Sequence, residues 1–119
     1  MISTLAQTTL VFIEEAQAHD VSVAAGPVNL LTDVPCIHAT RIDVTINATV
    51  AGTVSVVMYS ASKALIITTA LGAVAAGTTV GYEFGTTPPQ TIGQTYDVIY
   101  TPTAPAPADT ATVWTAARS

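Results

Sequence analysis

The stretch Arg41-Ile42-Asp43-Val44-Thr45-Ile46-Asn47-Ala48-Thr49-Val50 decides the fold. Ile42, Val44, Ile46, Ala48 and Val50 share one parity; Asp43, Thr45, Asn47 and Thr49 share the other. Successive side chains of a strand point to opposite faces, so this is a β-strand with one face buried and one wet. A helix would scatter the same apolar residues around its circumference. Ala51-Gly52 makes a turn, and residues 53–59 resume the alternation with Val54, Val56 and Met58 inward.

The rhythm continues in both directions. Residues 60–63 read as a polar hairpin connection with the only lysine, Lys63, at its tip, and 64–69 as a third strand. The small residues of 71–77 read as a loop, with enough alanine to permit a helical turn. Residues 78–84 alternate again, with Val80, Tyr82 and Phe84 on one side. Pro88 and Pro89 break the pattern, because proline cannot donate to a ladder and Thr87 before it is pushed to extended geometry. Gly93 opens a strand in which Tyr96, Val98 and Tyr100 share a face; 102–107, with alternating prolines, reads as a stiff exposed loop; 110–115 is the last strand. The first 35 residues are less regular. Residues 8–13 suit a strand, 14–18 an extended edge or loop in preference to a short helix, 19–24 alternate weakly, Gly26-Pro27 turns, and 28–31 is a short apolar run. Seven to nine strands with a turn every 8–12 residues or so predict an all-β antiparallel β-sandwich, jelly-roll or Ig-like, in one domain over 1–119. Residues 1–9 carry no charge and read as an extended N-terminal arm suited to docking along a neighbour.

Composition agrees. Thr, Val and Ile number 21, 14 and 9, so 44 of 119 residues are β-branched and favour strands. The chain is too apolar to be disordered. A net charge of −5 with three scattered cations offers no phosphate-matching patch, which excludes nucleic-acid binding by charge. No run approaches the ~18 apolar residues of a membrane span, and no basic n-region with an apolar core marks a signal peptide, so synthesis in the cytoplasm is expected.

Catalytic patterns are missing. Cys36 stands alone beside an apolar run and reads as a small buried hydrophobe. Cys36 and His38, two apart, would share a face in a strand, and His19-Asp20 could orient an imidazole, but zinc needs three or four protein ligands and no second cluster supplies them. The acids Asp43 and Asp97 fall on outward parities and read as solvated; Asp20 and Asp33 lie in turns without the ligand spacing of a calcium loop. The serines lack a nucleophile turn and the glycines a phosphate cradle. The expectation is no enzyme, no cofactor and no metal. Of the aromatics, Tyr82, Phe84, Tyr96 and Tyr100 lie on core parities; Trp114 opposes Val113 and points to an edge or a subunit contact. Together with Leu5 and Leu10 of the N-terminal segment, it is the candidate partner contact.

Only 11 residues are charged, 9% where about 25% is usual. Outward positions are Thr, Ser, Ala and Asn, short side chains that lose little entropy when covered. Such a surface suits packing against other subunits, and a closed oligomer would hide its strand edges.

The run Arg41-Ile42-Asp43-Val44-Thr45-Ile46, then Ala51-Gly52-Thr53-Val54-Ser55-Val56, the 60–63 turn, Ala75-Ala76-Gly77-Thr78-Thr79-Val80 and the closing Ala108-Asp109-Thr110-Ala111-Thr112-Val113 resemble small β-sandwich modules on virions of tailed bacteriophages, among them head decoration (cement) proteins and fibre- or tail-associated domains. The likeness spans about residues 37–115 and rests on strand rhythm and composition. It implies a structural virion component, homo-oligomeric and often trimeric, that clamps neighbouring capsid subunits. Related sandwiches also serve as carbohydrate- or receptor-binding modules, which is the alternative, with Trp114 and tyrosines as the stacking platform.

Overall fold

The computed structural model describes residues 10–21, 26–86 and 90–118. They form eight strands and no helix: β1 (Leu10–Asp20), β2 (Val28–Pro35), β3 (Arg41–Ala48), β4 (Gly52–Tyr59), β5 (Leu65–Val74), β6 (Thr79–Phe84), β7 (Thr95–Pro102) and β8 (Thr110–Arg118). One sheet has the order β1-β8-β3-β6, the other β2-β7-β4-β5, and all neighbours run antiparallel. The chain changes sheet at every connection except the β4–β5 hairpin. That order is the one two Greek keys produce when folded over each other, the eight-stranded jelly roll. The sandwich expected from the alternation is present, in its jelly-roll form.

The core is the set of inward parities. Ile42, Val44, Ile46 and Ala48 of β3 are fully covered, as are Val54, Val56 and Met58 of β4 and Val98 and Tyr100 of β7. The tyrosines that turn inward find partners for their hydroxyls, because a buried unpaired hydroxyl is costly. Tyr96 and Thr115 share a 2.6 Å hydrogen bond from one sheet to the other, Tyr100 donates to the Val50 carbonyl, and Tyr82 donates to the Ala73 carbonyl at 2.6 Å. Phe84, Tyr96 and Tyr100 are core residues, as their parity predicts, and Tyr82 is partly buried against that core.

Several boundaries differ from the sequence reading, among them that of β2, which continues through 32–35. Residues 71–74 belong to β5, where a loop is expected from their small side chains. They pair with Gly52–Val54 across a bulge at Leu71, and the Tyr82 ring lies so close over Gly72 that any Cβ there would strike it. β1 runs unbroken from Leu10 to Asp20, through 14–18, with register shifts that absorb the irregular pattern. β8 continues past Thr115 to Arg118. The proline loop after Pro102 is exposed but folds into a turn at 106–109, with Ala108 at φ +73°.

The connections β2–β3, β4–β5 and β6–β7 gather at one end of the sandwich with Leu10 and Arg118. Cys36 N–H donates to Gln94 O, Gln94 N–H to Tyr59 O, and Thr40 N–H to Arg118 O. The other end holds β1–β2, β3–β4, β5–β6 and β7–β8, tied by Thr49 N–H to Thr110 O and Gly77 N–H to Ala48 O.

Candidate functional site

The outward parity of the β1-β8-β3-β6 sheet brings together the residues best equipped to meet a partner. β3 sends Arg41, Asp43, Thr45 and Asn47 outward, and β8 sends Thr112, Trp114, Ala116 and Arg118. Register sets them in rows across the sheet. Trp114 lies opposite Thr45, and Thr45 opposite Gly81; Ala116 lies opposite Asp43, and Asp43 opposite Glu83. A depression of about 360 Å³ opens over Asp43, Thr45, Trp114, Ala116 and Arg118. Ala116, two positions along the strand from the indole, is small and keeps the floor low beside it.

Asp43 and Glu83 are like charges directly opposite each other, which is unfavourable without a cation between them. Arg41 supplies it, with Nη1 3.3 Å from Glu83 and Nη2 donating to Asp43 at 3.3 Å; Arg118 Nε adds a 2.9 Å bond to Asp43. Arg41 Nε also approaches Asp43, at 3.2 Å, close enough for attraction but not aligned as a donor. The cluster is neutral overall and partly exposed, so each pair adds well under ~1 kcal/mol. Its effect is to hold a flat polar rim beside Trp114.

The opposite outer face carries a second arrangement. Asp97 follows the outward parity expected of it, yet it is only 6% exposed and is not the solvated carboxylate its position suggests. Asp33 bulges out of β2 at φ +55°, so its N–H cannot pair in the ladder; it donates to Asp97 Oδ1 at 2.8 Å, and Tyr59 Oη donates to Oδ2 at 3.3 Å. Burial, and then the Asp97 carboxylate, push the Tyr59 phenol above its ordinary range. Lys63, held at φ +68° in the 60–63 turn, pairs with Asp33 at 2.9 Å. All three of the protein's cations are thus engaged with its own carboxylates.

Of the residues singled out from sequence, Trp114 is on an outer face, in the interior strand β8 and not at a sheet edge. Leu10 opens β1 opposite Arg118, and its side chain lies outside the described residues, as does Leu5. Asp43 and Arg118 were the residues to add. Arg118 lies four positions beyond Trp114 and shares its parity, a signal hidden by ending the strand at Thr115.

Cys36 and His38 do not share a strand face. Cys36 is buried, its thiol donating to Gly93 O at 3.5 Å and raised by burial to about 11; His38 sits in the following turn at φ +69°, exposed. His19 lies near the other end of the sandwich, opposite Ala111. Among the described residues no three His, Cys, Asp or Glu side chains converge to hold a metal ion. Comparison with protein-family models, curated proteins and solved structures found no match to the chain.

Proposed function

We propose that this chain is a structural subunit of a virus particle, a capsid decoration or stabilising protein that packs against neighbouring capsid subunits. The observation that carries the reading is the condition of its surface. Every lysine and arginine is already neutralised by a neighbouring carboxylate, and most of the remaining outward positions are short hydroxyls and methyls. Covering such a surface removes few hydrated charges and freezes few rotamers, so a large area can be buried at little expense. An interface of standard size, about 1,600 Å² in total, would then contribute at about 25 cal/mol per Å² of apolar area, less the cost of association. The jelly-roll strand order supports the reading by analogy of fold, since that fold serves viral capsids and lectins alike. The test is whether the protein is found in particles banded on a density gradient from the source of the sequence, and whether light scattering at micromolar concentration gives an oligomer. Detection in the particles with an oligomeric free form is expected. Absence from particles together with a strictly monomeric free form would overturn the reading.

The Trp114 face favours a second reading, a carbohydrate- or receptor-binding module. A half-buried indole on the outer face, beside Asp43, Thr45 and Arg118, offers a stacking surface with donors and acceptors at its margin. Binding on a glycan array that disappears in Trp114→Ala, with the fold intact, would favour this reading over the first.

A further inference from the structure

The outer face of the β1-β8-β3-β6 sheet is ordered in rows that run across its strands. The middle row holds Trp114, Thr45 and Gly81, one residue each from β8, β3 and β6. Side-chain size falls along it, from an indole to a hydroxyl and methyl to none. Outside its own chain neighbours, a Cβ built on Gly81 would meet no atom nearer than 3.9 Å, so the space above that glycine is open. The row on one side holds Ala116, Asp43 and Glu83, with Arg41 and Arg118 on the carboxylates. The row on the other side holds Thr112, Asn47 and Thr79, and the Asn47 amide donates to the Thr79 hydroxyl at 2.8 Å. Neighbouring strands lie about 4.8 Å apart, so the middle row is a trough about 10 Å long from Trp114 to Gly81, with hydrogen-bonding groups along both margins. The depression over Trp114, Thr45 and Asp43 is its β8 end.

We propose that this trough binds an uncharged oligosaccharide laid across β8, β3 and β6, with one sugar ring stacked on Trp114 and the next over Thr45 and Gly81. The inference rests on the carbohydrate reading and names the class of glycan and its course over the sheet. An indole takes a ring that offers an apolar C–H face, and such a ring holds its hydroxyls out to the sides. The margins supply what those hydroxyls need: carboxylate and amide oxygens that accept, guanidinium and amide N–H groups that donate. Charge decides against an acidic glycan. The two cations at the margin are paired with its two carboxylates, and the chain as a whole carries −5, so no uncompensated positive charge meets a sulfate, phosphate or carboxylate. Gly81 indicates more than one sugar, because the open space continues two strands beyond the ring that Trp114 would hold.

Gly81 also supplies the test, since it can be filled without disturbing the fold. Its φ is not positive, and valine suits a strand better than glycine. The experiment is a glycan array carrying neutral gluco-, manno- and galacto-oligosaccharides and sialylated or uronic-acid chains, each in increasing length, with NMR titration of the full chain by the same neutral oligosaccharides. Trp114→Ala, Trp114→Phe and Gly81→Val are compared with Thr53→Val, a control on the outer face of the other sheet, and thermal melts report that each folds. Neutral chains should bind, lose binding in Trp114→Ala and regain part of it in Trp114→Phe. Gly81→Val should weaken the longer chains about tenfold, the loss of one or two hydroxyl contacts, and leave the shortest ligand and Thr53→Val as in the parent. Amide shifts should extend over β8, β3 and β6. Binding that needs Trp114 but is indifferent to Gly81→Val, or that is confined to acidic chains, would overturn the trough and leave the carbohydrate reading standing. A protein receptor captured through Trp114 with no glycan bound would overturn it and leave the receptor reading. No glycan bound, no amide shifted and no receptor captured would overturn both.

Discussion

Asp97 shows how one side chain can settle the conformation of another strand. A carboxylate on an outward parity is ordinarily wet, yet this one is covered because β2 bulges toward it and hands it the Asp33 N–H. Replacing it with alanine leaves that amide and the Tyr59 hydroxyl to find water in a site with little room. Asp97→Ala should therefore lose about 1–3 kcal/mol in chemical denaturation, and Asp97→Asn less, because the amide oxygen still accepts from Asp33. The same reasoning applies inside the core at Tyr96. Its hydroxyl and that of Thr115 link the two sheets. Tyr96→Phe keeps the ring's packing, removes the link, and should lower stability by about 1–3 kcal/mol. A loss within error in either experiment would mean that water reaches these sites. Parity showed which way Asp97 faces; it could not show its burial, because the cover comes from a bulge 64 residues away in the chain.

Elements were legible where alternation was strict and obscure where small residues or irregular pairing replaced it. β3, β4 and β7 could be read from Ile42, Val54 and Val98 and their partners at every second position. The second half of β5 could not, since Leu71-Gly72-Ala73-Val74 has no period of its own and becomes a strand only because β4 offers a partner and Tyr82 needs the bare backbone of Gly72. The 103–109 loop was legible as a loop but not in its fastening. Asp109 accepts the Ala106 N–H at 2.7 Å and the Thr49 hydroxyl at 2.7 Å, and Thr49 in turn accepts the Thr110 N–H at 3.0 Å. Those donors favour the ionised carboxylate: the Ala106 amide first, then Thr49, hold Asp109 below its usual pKa of 3.8. A carboxyl depressed in the folded state stabilises at pH above its unfolded value, and the stabilisation fades as pH falls through the folded value. The loop should thus stay fastened at neutral pH and open below about the ordinary carboxylate range. Proteolysis or hydrogen exchange at 103–109, compared between neutral and strongly acid conditions, checks this. Asp109→Asn should already show the acid behaviour at neutral pH, and a loop equally protected in both proteins would contradict the assignment.

At the scale of the whole molecule, the pairing of β1 with β8, the two ends of the chain, could not be read from local sequence, since no local pattern says which strands share a sheet. Charge, in contrast, is fully written in the sequence and governs how copies meet. Each carries −5 at neutral pH and has a pI near 4.4. Two copies repel at long range, whereas an apolar contact between copies contains no ion pair for salt to weaken. Raising ionic strength shortens the Debye length from about 30 Å at 0.01 M to about 10 Å at 0.1 M and removes the repulsion while leaving the contact intact. Self-association should therefore tighten with added salt, and tighten again as pH falls toward 4.4 and the net charge shrinks. An interface built on the Arg41, Arg118, Asp43 and Glu83 cluster would behave in the opposite way, weakening with salt as its pairs are screened. Sedimentation across a salt series at fixed pH separates the two: a dissociation constant that falls with salt places the contact on an uncharged surface, and one that rises places it on the charged face.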